Sequence, residues 1–153
     1  MDVICRQAQP EDISALHELI LYYASKGIML PRSKETLAAN IDSFVVAEAE
    51  ERIIGCGSLC RLGDNLMEIR SLGLSDGCKG KGIGGKLLAM LERMAAEQGV
   101  TNVMALTYEV SFFEKYGYHM TAKHVFPEKV WRDCVHCKNQ FCCDEIAVLK
   151  RLV

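Results

Sequence analysis

Cys78-Lys79-Gly80-Lys81-Gly82-Ile83-Gly84-Gly85-Lys86 stands between an apolar segment, Ile69 to Leu74, and an amphipathic one that starts at Ile83. Four glycines and three lysines share these nine positions. Glycine at this density costs backbone entropy and needs a geometric reason, most often close approach of the chain to a ligand. Backbone N–H groups at a helix N-terminus, with lysines alongside, favour an anion such as phosphate. The stretch therefore predicts a phosphate-binding loop that opens a helix.

The chain has 153 residues, half of them hydrophobic and a quarter charged, with a net charge of −2. That length predicts one domain, 1–153, with a real core, and the composition is that of a soluble globular protein. Apolar runs fall short of the ~18 residues that cross a bilayer, and no basic segment followed by an apolar core opens the chain. The expectation is a cytoplasmic protein. The small net charge gives no general attraction to nucleic acid or to an anionic membrane. Basic character is local, at the glycine loop.

Working outward, Val3 to Ala8 reads as a strand. Pro10-Glu11-Asp12 then opens a helix in which Ile13, Leu16, Leu19, Ile20 and Tyr23 recur at helical spacing, ended by Lys26-Gly27. Ser33 predicts the cap of a second helix carrying Leu37, Ile41 and Phe44. Phe44 to Glu48 and Arg52 to Arg61 read as strands joined by an acidic turn, and Leu66 to Leu74 follows after Gly63-Asp64-Asn65. Beyond the loop, Ile83, Leu87, Leu88, Leu91, Met94 and Ala95 mark one helical face, ended by Gly99. Val100 to Thr107 reads as a strand, Val110 to Tyr116 as a short helix and Asp144 to Leu152 as the last strand. The order β-α-α-β-β-β-α-β-α-β predicts an α/β (α+β) fold with a mixed sheet flanked by helices.

Gly80-Lys81-Gly82-Ile83-Gly84-Gly85 satisfies the dinucleotide pattern GxGxxG, but hairpins precede it and the next strand ends in Leu106-Thr107 rather than an acid. Gly80 through Lys86 nearly matches the Walker loop, yet Leu87 stands where a hydroxyl must hold Mg²⁺. Lys79-Gly80-Lys81-Gly82-Ile83-Gly84 resembles the loop of the GNAT N-acetyltransferases, with Lys79 where Arg or Gln is more usual. The element order is similar to that family's fold over nearly the whole chain. The resemblance implies a mostly antiparallel central sheet and acetyl-CoA as cosubstrate. Its pyrophosphate would be held by Lys79, Gly80, Lys81, Gly82, Ile83, Gly84 and Gly85.

The resemblance also implies that the strand from Leu66 to Leu74 pairs with the pantetheine arm through Leu72, Gly73 and Leu74. Glu68 stands where several members keep a base. By alternation it shares a face with Arg70 and Leu72, and it also reads as a solvated partner of Arg70. The family's leaving-group tyrosine precedes a glycine by four residues. The matching stretch here is Phe113-Glu114-Lys115-Tyr116-Gly117-Tyr118, and Phe113 has no proton to give. Tyr108 or solvent would then protonate the thiolate; Tyr116 reads as core.

Lys26-Gly27-Ile28-Met29-Leu30-Pro31-Arg32-Ser33, Glu68-Ile69-Arg70-Ser71-Leu72, Ala105-Leu106-Thr107-Tyr108 and Lys129-Val130-Trp131-Arg132-Asp133-Cys134 resemble the short bacterial N-acetylglutamate synthases of arginine biosynthesis. That implies L-glutamate as acceptor. Two carboxylates in a partly desolvated site call for arginines, which bind them bidentately. Arg32 and Arg70 are the candidates, with Lys129 and Arg132 weaker ones; Arg32 also reads as a surface charge. Another amine acceptor, or a non-catalytic acetyl-CoA-binding module, are the rival readings. A homodimer is compatible with the sequence but not specified by it.

Of eight cysteines, Cys5, Cys56, Cys60 and Cys78 are scattered and read as reduced core thiols. Cys134, Cys137, Cys142 and Cys143 cluster. CxxC is a common Zn²⁺ half-site, but no second half-site of similar spacing follows. Structural Zn²⁺ and reduced or disulfide-forming thiols both stay open, with the thiols favoured.

Overall fold

The structure is a computed structural model that describes residues 2–121 and 146–152. Strands β1 (Val3–Gln7), β2 (Phe44–Ala49), β3 (Arg52–Gly63), β4 (Leu66–Leu74), β5 (Asn102–Thr107), β6 (His119–Thr121) and β7 (Ile146–Arg151) follow one another in the chain. The helices are α1 (Ile13–Ser25), α2 (Lys34–Ala39), α3 (Ile83–Glu97) and α4 (Val110–Lys115). Among the described residues the strands form one seven-stranded sheet in the order β1-β2-β3-β4-β5-β7-β6. All the recorded pairings are antiparallel except β4 with β5. That parallel ladder covers Leu66↔Asn102, Met67↔Val103 and Glu68↔Met104. Parallel neighbours need a long crossover, and α3 lies in the chain between them.

The residues divide into two compact units, each assembled from separate stretches of chain: Met1–Cys60 with Ile69–Met94, and Arg61–Glu68 with Ala95–Val153. In the first, Ala8, Leu16, Ile20, Leu37, Phe44, Val46 and Cys56 make one apolar core. Leu16 and Ile20 come from the predicted face of α1. Leu87 and Leu91 of α3 approach β3 so closely that a Cβ on Gly55 would lie 3.2 Å from Leu87 Cδ1, and one on Gly57 2.9 Å from Leu91 Cδ1. In the second unit Val103, Ala105, Phe113, Tyr118, Ala147 and Val148 are buried. Phe113 meets Tyr118 edge to face at 5.1 Å.

Three local expectations change. The helix capped by Ser33, whose hydroxyl accepts from Thr36 N–H at 3.1 Å, ends at Ala39; Ile41 lies in a 3-10 turn and Phe44 begins β2. Leu37, Ile41 and Phe44 still face one core, so their helix-like spacing reflects shared burial rather than one helix. Pro10–Asp12 is likewise a 3-10 turn ahead of α1. The third change is β6, absent from the predicted order. Its three residues are too few for alternation to register, and His119 and Met120 are exposed.

One ion network ties β1, the start of α1 and β2. Arg6 donates to Asp12 Oδ2 at 2.8 Å and Oδ1 at 3.0 Å, and to Glu48 Oε1 at 2.7 Å. Asp12 also accepts the Gln9 backbone N–H at 2.7 Å, closing a capping box. Arg6's bonds hold the Asp12 carboxyl below the usual carboxylate range, against the opposing effect of burial. A lowered folded-state pKa gives stability that is present above the unfolded value near 3.8 and lost as pH falls through the folded one. Asp12→Asn is therefore expected to lose about 2 kcal/mol at neutral pH. In urea unfolding the gap to the parent chain should close as pH drops below about 4; a gap that stays constant refutes the linkage.

Candidate active site

The glycine loop has the geometry its composition calls for. Gly80 and Gly82 sit at φ +80° and +78°, the left-handed region, and a Cβ at either would meet open space. Glycine is required there by the backbone turn, not by crowding. Cys78 is buried and its N–H donates to Ser75 O at 3.1 Å, which anchors the loop at its start. Lys86 N–H donates to Gly82 O at 3.2 Å, the first helical bond of α3. The N–H groups of Ile83, Gly84 and Gly85 thus fall in the opening turn, where no preceding helical carbonyl serves them. Lys79 and Lys81 are exposed, and Lys79 Nζ lies 5.8 Å from the centroid of the Tyr23 ring. Neutral donors, a helix N-terminus and two mobile cations can together hold a pyrophosphate.

The loop follows the end of β4, where the chain departs from a regular strand. Ser71 is left-handed at φ +54°, outside the extended region of a regular strand. Beyond the break, Leu72 and Leu74 point to the glycines of β3. Leu72 Cδ1 would lie 3.0 Å from a Cβ on Gly57, and Leu74 Cδ2 2.6 Å from one on Gly55. Gly73 turns to α1, where an added Cβ would stand 2.9 Å from the Tyr23 ring. The Tyr23 hydroxyl donates to Leu74 O. Leu72, expected on a face with Glu68 and Arg70, lies toward Gly57 of β3.

Arg32 comes from the loop between α1 and α2 and reaches β4: its Nε donates to Ser71 Oγ at 3.2 Å. The first unit thus gathers Arg32, Arg70, Leu72, Gly73, Leu74 and the glycine loop on adjoining stretches. Sequence reasoning missed Ser71 and Tyr23 as members of this group. Ser71 lay inside a quoted motif, but nothing in a sequence marks a serine as left-handed. Glu68 and Tyr108 belong to the second unit. Glu68 is 3% exposed on β4, a buried carboxylate, while Tyr108 follows β5 and is 47% exposed. Phe113 is packed among aromatic rings, a core role that leaves it no acid chemistry. Tyr116 is half-buried against Phe112.

Cys134, Cys137, Cys142 and Cys143, with Lys129 and Arg132, lie outside the described residues. Within the described residues no group of three or more His, Cys, Asp or Glu side chains converges as a metal site. Of the four scattered cysteines, Cys56 and Cys78 are buried, whereas Cys5 and Cys60 are half-buried. No helix among the described residues is long and apolar enough to cross a membrane.

Comparison with known proteins bears on this geometry. Residues 11–118 match the acetyltransferase (GNAT) family. An uncharacterised N-acetyltransferase of Chlorobaculum tepidum is 40% identical over 151 residues, 99% of this chain and 97% of that protein. An amino-acid acetyltransferase of Mycobacterium tuberculosis is 32% identical over 118 residues, 75% of this chain and 67% of its own length. The solved N-acetylglutamate synthase of Neisseria gonorrhoeae, complexed with coenzyme A and N-acetyl-glutamate, superposes with a TM-score of 0.88 at 26% identity. That match covers all of this chain and 36% of the synthase chain. A glycine loop opening a helix, a broken β4 beside it and a family match spanning both leave one conclusion: the chain belongs to the acetyltransferase (GNAT) family and is an acetyl-CoA-dependent N-acetyltransferase.

Proposed function

We propose that the enzyme acetylates the α-amine of L-glutamate. The observation that carries this reading is the docking of Arg32 on Ser71 of β4. An arginine fixed on the strand assigned to the thioester suits an acceptor that bears carboxylates, because its planar fork binds them in two-point fashion. Arg70, next to Ser71 on the same strand, would supply the second cation. The similarity to an amino-acid acetyltransferase over three quarters of the chain supports an amino acid as acceptor. The likeness to a synthase solved with N-acetyl-glutamate supports glutamate in particular.

In this reading the pyrophosphate of acetyl-CoA rests on the backbone N–H groups from Gly80 to Gly85, with Lys79 and Lys81 neutralising its charge. The pantetheine arm pairs with Leu72, Gly73 and Leu74. The neutral amine attacks the thioester carbonyl, an N–C bond forms, and the C–S bond breaks to release the CoA thiolate. Glu68 accepts the amine proton, directly or through water, and Tyr108 or solvent returns one to the thiolate. Phe113 is the specific reason the acid is assigned elsewhere than in the family's usual place.

Three outcomes test the proposal. In a coupled assay of CoA release, L-glutamate should be the preferred acceptor in a panel of amino acids, and Arg32→Ala should raise its KM about tenfold or more. A parent chain that releases CoA only with amines lacking carboxylates sinks the acceptor assignment. Gly82→Ala forces a side chain into the left-handed region at about 1–2 kcal/mol. Acetyl-CoA affinity, followed by calorimetry, should drop about tenfold while the fold survives. Glu68→Gln should lower kcat by about a hundredfold or more with little change in acetyl-CoA KM. An undiminished kcat would move the proton acceptor elsewhere.

A further inference from the structure

Ser71 is the one residue of β4 in the left-handed region, and only three non-glycine residues do so among those described. The other two, Glu50 and Glu51, form the exposed β2–β3 turn, where left-handed residues suit a tight hairpin. Ser71 is different. It lies within a strand, 9% exposed, where the conformation costs energy that the surroundings must offset. Two polar contacts hold it. Its hydroxyl accepts Arg32 Nε at 3.2 Å, and its carbonyl accepts the Cys56 thiol at 3.2 Å. Burial pushes the Cys56 thiol up to about 12, so that donor stays protonated at any physiological pH.

We propose that Ser71 is the positioning residue for Arg32, its hydroxyl fixing the direction of the guanidinium and through it the preference for a carboxylate-bearing acceptor. The inference rests on the reading of Arg32 as the acceptor's anchor. The five N–H groups of a guanidinium lie in one rigid plane. A bond at Nε therefore sets the azimuth of the terminal pair that a carboxylate meets. Were residue 71 extended, its side chain would follow the pleat. In the left-handed backbone the hydroxyl meets Arg32 Nε at 3.2 Å, and Gly73, two residues on, faces Tyr23 and Met29. Glycine would adopt this backbone without strain and alanine would keep the strain, yet neither has the hydroxyl. Serine bears the backbone strain that glycine would avoid and supplies the hydroxyl that Arg32 meets.

The test is a kinetic cycle on the full chain. Ser71→Ala is expected to raise glutamate KM by about tenfold to a hundredfold, with kcat and acetyl-CoA KM unchanged within about twofold. Ser71→Gly, which relieves the backbone and so guards against a failure to fold, should show the same split. Ser71→Asn tolerates the left-handed region and offers an acceptor oxygen, so it should recover part of the affinity. Adding Ser71→Ala to Arg32→Ala should cost nothing further, because the two act as one unit. Additive losses, parallel changes in both Michaelis constants, or an unchanged glutamate KM overturn the proposal. If the parent chain prefers another carboxylate-bearing amino acid, the glutamate assignment fails while Ser71 still shows its split on that acid. If it takes only amines without carboxylates, both fail.

Discussion

The left-handed Ser71 divides β4 into two stretches with different neighbours. Before it, Glu68 is buried in regular strand, in register with Met104 of β5. After it, Leu72 and Leu74 fill the space above Gly57 and Gly55, and Gly73 lies against Tyr23. From Leu72 to Leu74 the side chains alternate as in an ordinary strand, the leucines toward β3 and Gly73 toward α1. The segment proposed to meet the pantetheine arm begins directly after this dihedral. The Cys56 thiol and the Arg32 guanidinium hold that dihedral from separate elements, so core packing and site geometry are fixed at the same residue.

Much of the fold was legible because period and punctuation agreed. The face from Ile83 to Ala95 and the glycines at its start predicted α3 and its loop. The backbone shows why: Gly80 and Gly82 need the left-handed region, and Gly99 does too where the helix ends. Legibility failed where the signal was short or not carried by residue type. Three residues of β6 cannot display alternation. Leu37, Ile41 and Phe44 share a core without sharing a helix. Ser71 lay in a quoted motif, but serine is compatible with every backbone region, and only the coordinates reveal which it adopts. Arg32 was legible through the preference of carboxylates for arginine; its tether was not.

Phe113 shows how a departure from a family pattern is absorbed. Its ring packs edge to face with Phe112 and Tyr118, at 5.2 and 5.1 Å. Such pairs stabilise by about 0.5–1.5 kcal/mol beyond their buried area. The position serves the second unit's core whether or not it carries a hydroxyl. In the proposed mechanism Phe113 gives the thiolate no proton, and Tyr108 or solvent serves instead.

The loop that bears Arg32 is bounded by two independent stops: Gly27, left-handed at φ +72° after α1, and Ser33, whose hydroxyl caps α2. The first draws on the loop itself, since Ile28 N–H donates to Tyr23 O at 3.2 Å. Met29 packs against the core beside Gly73 and Arg32 bonds Ser71, so the segment from 28 to 32 is held along its length as well as at its ends. The glycine loop and β4 lie elsewhere in the chain. With Arg32 as the proposed anchor, an exchange at residue 32 would reach the acceptor while the left-handed turns at Gly80 and Gly82 stayed as they are.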